Sequence, residues 1–152
     1  MLRSILCLVA VAAVSTAAAL SAAASPTACK PTPNDGPGPF TRLDAPLRAK
    51  IGTGHVLQGR VLRAGDCAAV RGALVYFWQS GPNGYGPRGR GSVRTNRRGQ
   101  FRIEGPVPFN YGRGSHIHIA VIHGAYEELL TRHVVRRGAR SGRITIVLTP
   151  LL

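Results

Sequence analysis

Ala73-Leu74-Val75-Tyr76-Phe77-Trp78-Gln79 is the stretch that decides the fold. Successive side chains of an extended strand point to opposite sheet faces. Leu74, Tyr76 and Trp78 therefore share one face, and Ala73, Val75, Phe77 and Gln79 share the other. Both sets are mostly apolar, which predicts a central strand covered on each side. Trp78 is accordingly read as a core residue rather than a platform for a ligand. Outward from this stretch the chain repeats short runs rich in Val, Ile, Leu or aromatics, at 56–62, 92–95, 100–104, 115–122, 129–135 and 143–149. Turn formers such as Ala64-Gly65-Asp66, Asn83-Gly84 and Arg98-Gly99 separate them. Beyond the N-terminal leader, no window sustains an apolar stripe at helical period. The expected fold is all-β: one antiparallel β-sandwich of about 7–9 strands.

The ends of this pattern set the remaining boundaries. Met1-Leu2-Arg3 is a charged start, residues 5–20 form an apolar, small-residue run, and Ala22-Ala23-Ala24 precedes Ser25-Pro26. That order is expected of a secretory signal peptide over residues 1–24, cleaved after Ala24; an uncleaved anchor is the alternative. A Pro- and Gly-rich arm is expected over 25–53, because Pro31 to Pro39 cannot form a helix. The sandwich is expected over 54–152, in an exported protein with no membrane span in its mature part.

Of the three cysteines, Cys7 leaves with the leader. In an oxidising compartment Cys29 and Cys67 are expected to form one disulfide, two buried thiols being the alternative. The net charge of +14 comes almost wholly from arginine, since Lys30 and Lys50 are the only lysines. Such a charge attracts anions in general. No aromatic residues interleave with the arginines on one element, and no nucleic-acid motif is present, so a nucleic-acid partner is not expected. Oligomeric state is left open.

His116-Ile117-His118 carries the chemistry. Residues i and i+2 of a strand project together, so both imidazoles share a face while Ile117 and Ile119 pack into apolar surroundings. Two convergent neutral imidazoles suit a first-row transition metal. Taken alone, His-x-His does not separate a metal pair from a surface strand. Tyr111 and Arg113 lie just upstream in a glycine-containing loop, and Gly84-Tyr85-Gly86 follows the aromatic strand.

With those residues in view, the sequence resembles the intradiol ring-cleavage dioxygenases, the catechol and protocatechuate dioxygenase family. The resemblance runs through Gly72 to Gln79, Asn83-Gly84-Tyr85, Val93-Arg94-Thr95, Gly99-Gln100-Phe101, Gly105-Pro106, the His-Ile-His and Leu130-Thr131. Cys29, Thr32-Pro33, Gly38-Pro39-Phe40 and Cys67 are similar to a short exported branch of that family. The resemblance implies a non-haem Fe(3+) held by Tyr85, Tyr111, His116 and His118. It implies that Tyr111 is the ligand that leaves when substrate binds and that Arg113 offsets negative charge on the substrate. The implied reaction is cleavage of a catechol by O2 between its two oxygen-bearing carbons, giving a muconic acid. The chain departs from the family in three ways. The Tyr111–His116 spacing is a residue or more shorter than usual. Arg132 follows Thr131 where a Gln is often found, an exchange that alters pocket charge. The N-terminal helical region and long insertions of the larger members have no counterpart. Two other functions remain beside this one. They are a non-catalytic exported sandwich that binds phenolic or cell-wall ligands, and a copper carrier using the His-x-His pair. The paired tyrosines favour the enzyme, because neither alternative calls for two phenolates beside the histidines.

Overall fold

The structure is a computed structural model and describes residues 28–38, 40–81, 85–110, 112 and 114–152. The expected leader, the cleavage point and Cys7 lie outside the described residues. Seven strands occupy the positions the apolar runs predict: β1 (His55–Arg63), β2 (Leu74–Gln79), β3 (Arg90–Arg94), β4 (Gln100–Gly105), β5 (His116–Ile122), β6 (Leu129–Val134) and β7 (Ser141–Leu148). They form two sheets, β4-β1-β7 and β3-β2-β5-β6. Among the described residues, no helix is long and apolar enough to cross a membrane.

Among the seven strands, pairing is antiparallel except between β1 and β7, which run parallel from Val56↔Ser141 to Arg63↔Leu148. Simple alternation does not reveal this. β7 enters its sheet from β6 in the opposite sheet, so no hairpin fixes its direction. The core between the sheets is built from the inward set of each strand, with Leu57, Val75, Phe77, Ile119, Val121 and Ile146 all essentially inaccessible.

β2 is internal, between β3 and β5, and both of its faces are covered. Val75 and Phe77 face the inter-sheet core, while Trp78 joins a second cluster with Ala120, Leu130, Leu43, Tyr76 and Tyr85. The arm covers this outer face. Its backbone is tied to the body by Thr32 N–H to Val147 O (3.0 Å) and Asp35 N–H to Leu130 O (2.8 Å). The Cys29–Cys67 disulfide fastens its start, with a Cα–Cα distance of 5.2 Å. The arm thus forms one wall of the cavity that opens over β2, β5 and β6.

Candidate active site

His116 and His118 occupy alternate positions at the start of β5, and both project to the outer face of the four-stranded sheet. Ile117 and Ile119 face the core, where they are 3% and 0% exposed. The histidine tips converge more than strand geometry alone requires: the two Nε2 atoms lie 3.1 Å apart, with the rings nearly perpendicular at 81°. His116 Nδ1 stands 2.9 Å from the Gly114 carbonyl. A carbonyl only accepts, so Nδ1 carries a proton, which in a neutral ring leaves Nε2 as the lone pair.

Tyr85 enters from the connection after β2. Its Oη lies 3.1 Å from His118 Nε2. Two aromatic contacts fix the pair. Phe40 of the arm stacks on Tyr85 (centroids 4.6 Å, 14°), and Trp78 stacks on His118 (5.2 Å, 7°). Trp78 is 4% exposed, as expected of a core residue, yet one edge of it also lines the cavity. Burial, reinforced by His116 and Arg132, pushes the His118 pKa down to about 4, so its ring is neutral at ordinary pH.

Tyr111 and Arg113, the other two candidate site residues, lie outside the described residues, as do Asn83 and Gly84. Their neighbours show how the loop between β4 and β5 is held. Asn110 Oδ1 accepts from Gly112 N–H (2.9 Å) and Gly114 N–H (3.0 Å). Both glycines have left-handed backbone, φ +87° and +78°, a region closed to most side chains. At its start the loop is pinned to the end of β2. Gln79 Nε2 donates to Pro106 O, and Ser80 Oγ donates to Phe109 O at 2.8 Å. Sequence reading passed over Asn110. The signal available was an Asn placed to accept from backbone N–H groups two and four residues on, among glycines. Phe40, Phe109 and Asp35 were also passed over as cavity residues, because no local pattern connects the arm to β5.

The three donor atoms open into a cavity of about 800 Å3, lined among others by Asp35, Phe40, Trp78, Phe109, Leu130 and Arg132. A second hollow of about 670 Å3, bounded by β1, β4 and β7 and by β3 of the opposite sheet, is lined by Arg60, Arg94, Arg102 and Arg143 with amide side chains. No convergent donors line it. The other histidines, His55, His123 and His133, do not line the first cavity. Buried His55 has Nδ1 2.9 Å from Ala139 O, and His123 Nδ1 accepts from Ala125 N–H at 3.2 Å.

No family model matches the sequence, and no curated protein matches it. Solved structures do match. The dioxygenase domain of a dioxygenase–carbohydrate-binding fusion from the cellulolytic bacterium Streptomyces sp. SirexAA-E superposes with a TM-score of 0.68 at 23% identity, over 80% of this chain and 100% of that one. The chain has the intradiol-dioxygenase fold. An intradiol ring-cleavage dioxygenase from Tetranychus urticae gives a TM-score of 0.67 at 17% identity, covering 82% of this chain and 97% of that one. Catechol 1,2-dioxygenase of Acinetobacter radioresistens gives 0.70 at 16%, but this chain spans only 64% of its length. The intradiol fold met here is thus the sandwich held in common with both the shorter and the longer of these proteins.

The donor set can be tested for a metal on its own chemistry. Among the described residues no three His, Cys, Asp or Glu side chains gather. The donors are instead two imidazoles and a phenol. Tyr85 Oη, His118 Nε2 and His116 Nε2 form a chain with 3.1 Å steps, and a neutral His116 with its proton on Nδ1 presents Nε2 as a lone pair. Lone pairs crowded in this way at a cavity floor fit a cation that accepts nitrogen and phenolate oxygen together. The Nδ1–H bond of His116 to Gly114 is the kind of outer contact that orients a ligating imidazole.

Proposed function

We propose that this protein cleaves catechol-type rings by the intradiol route with O2, at a ferric site held by Tyr85, His116, His118 and Tyr111. The observation that carries the reading is the convergence of Tyr85 Oη and the two histidine Nε2 atoms at the floor of a cavity, on a sandwich of the intradiol-dioxygenase fold. Ferric iron held by these residues would supply a Lewis acid that binds and ionises the two hydroxyls of a catechol.

The protein's own residues do the rest. His116 keeps its proton on Nδ1 and offers Nε2 as a fixed donor. His118, neutral because it is buried, offers the second nitrogen without first losing a proton. Tyr85 must give up its phenolic proton to act as a donor, and a nearby cation lowers the cost of that step. Phe40 and Trp78 hold Tyr85 and His118 in place by stacking, so their positions are set before any ligand arrives. Phe109 and Leu130 add apolar wall that keeps water from the ring. The resemblance gives Tyr111 the part of the departing donor, and Arg113 that of offsetting charge as it develops on the ring oxygens. The Cys29–Cys67 disulfide and the leader-like N-terminus support an exported location, where disulfides persist.

The reading is tested by oxygen uptake on catechol and substituted catechols, with product identification. A muconic acid is expected. Binding of catechols without oxygen uptake, or a ring opened beside rather than between the hydroxyl carbons, would overturn it.

A further inference from the structure

The second hollow lies across the sandwich from the donor trio, and its donors do not converge on a point. They are spread over the outward face of the three-stranded sheet. In β1, Leu57 and Val61 face the core, so Gln58 and Arg60 project outward, and both are exposed. Gln100 and Arg102 of β4 and Arg143 and Thr145 of β7 are exposed in the same alternation. The strand registers set these six side chains in two rows. Arg102, Gln58 and Arg143 stand abreast in one, and Gln100, Arg60 and Thr145 in the next. Cations and neutral hydrogen-bonding groups therefore alternate both along and across the strands, as on a chequerboard. Like charges directly opposite each other destabilise a sheet, and here every arginine has a neutral cross-strand neighbour. Neighbouring strands are about 4.8 Å apart, so Arg102 and Arg143 stand roughly 9.6 Å apart across β1.

This charge is not neutralised within the protein. No acidic residue lines the hollow, to which Arg94 of β3 also contributes. Arg143 makes no hydrogen bond or ion pair among the described residues. Arg60 uses only Nε, on the Arg98 carbonyl at 3.2 Å. Arg102 reaches Glu104 at 3.4 Å, but that carboxylate is already held by Lys50 at 3.0 Å.

An open face of this kind suits an extended polymer better than a small anion. Guanidinium forks take carboxylates and phosphates alike, so the groups between them decide which polymer fits. Gln58, Gln100 and Thr145 each present an acceptor as well as a donor. Nucleic-acid phosphates offer acceptors only and would leave those oxygens unmatched, whereas sugar hydroxyls supply donors. Nor is there a ring on which bases could stack. Phe101, the only aromatic residue lining the hollow, is 6% exposed and belongs to the core.

We infer that this face is a docking surface for an acidic polysaccharide. Its carboxylates meet Arg60, Arg102 and Arg143, and its hydroxyls meet the amides and Thr145 between them. The inference is independent of ring cleavage, because the donor trio lies on the outer face of the opposite sheet and stays open while the polymer is bound.

The test is equilibrium binding of oligogalacturonate to the whole protein at near-physiological ionic strength, with its methyl ester and a DNA duplex as the other probes. Oligogalacturonate is expected to bind about tenfold or more tightly than the ester, which has lost its charge. Arg60→Gln combined with Arg143→Gln is expected to weaken oligogalacturonate binding about tenfold, the scale of two exposed charge contacts. Arg42 and Arg88 are exposed on the arm and in the β2–β3 connection. Arg42→Gln combined with Arg88→Gln removes the same charge and is expected to change binding less than about twofold, since salt screens distant charges. Gln58→Glu keeps every arginine and sets a carboxylate at the centre of the first row. It is expected to weaken binding too, so the result does not hang on one variant's folding. Absence of binding, or equal loss in the two double variants, would overturn the assignment. DNA binding that Arg60→Gln with Arg143→Gln weakens as strongly would give the face to nucleic acid and overturn it as well.

Discussion

His116 Nε2 and His118 Nε2 lie 3.1 Å apart, although residues two apart on a strand are separated by roughly 6.5 Å along the backbone. The rings lean together because each is held from outside: His116 by the Gly114 carbonyl, His118 by the Trp78 ring. Two nitrogens at that distance, with a phenol oxygen next in line, are poised for a shared cation. The purified protein is therefore expected to carry close to one iron per chain, and His116→Ala or His118→Ala to empty the site. Elemental analysis decides it. Full occupancy in both variants, or copper or zinc as the native metal, contradicts the iron assignment.

The two tyrosines are expected to differ in role. Tyr85 is clamped between Phe40 and His118, whereas Tyr111 belongs to the glycine-containing loop that Asn110 organises. Tyr85→Phe is expected to remove most of the visible absorption of the substrate complex. Tyr111→Phe is expected to leave absorption there while slowing turnover. Arg113→Ala is expected to keep iron and colour and lose activity by about 10²-fold or more, the scale of removing a charge-stabilising group. Absorption spectra recorded with and without catechol, beside steady-state rates, separate these outcomes.

Cys29→Ser is expected to cost about 4 kcal/mol of stability, since the disulfide closes a loop between residues 38 positions apart. It is also expected to weaken catechol binding, because the arm it fastens supplies Phe40 and Asp35 to the cavity. Urea unfolding and ligand titration of the same variant measure the two effects. Unchanged binding in the destabilised variant would show that the arm stays docked without its covalent tie.

The pH dependence of stability follows from histidines held neutral in the fold. His133 is pushed below its usual pKa by burial and by His55, and His118 is pushed down to about 4. Between about 6.5 and 4 the unfolded chain takes up protons that the folded chain does not, so stability is greatest above that window and falls as pH drops through it. The urea midpoint of iron-depleted protein is expected to be lower at pH 5 than at pH 7. His133→Gln is expected to shrink the difference without removing it, because His118 contributes with the same sign. A midpoint that rises on acidification contradicts this.

The sequence by itself determined the strands and their faces. Side-chain alternation is a local property, so Ala73–Gln79 could be read as a central strand, and Ile117 and Ile119 as the core side of a pair that turns both histidines outward. All seven apolar runs became strands for that reason. The cysteine pair was also legible, because the expected leader takes Cys7 and leaves Cys29 and Cys67. Only the tertiary structure decided what the histidines face. The parallel docking of β7 on β1 depends on a chain crossing between sheets, which periodicity does not encode. The stacking of Phe40 on Tyr85 joins residues 45 positions apart, and Asp35 reaches Arg132 across 97. Such contacts arise because the arm must cover the apolar outer face of β2 and is stapled where it does so. The residue types that fit a metal are written in the chain, whereas the cavity, its walls and its charge come from where that arm comes to rest.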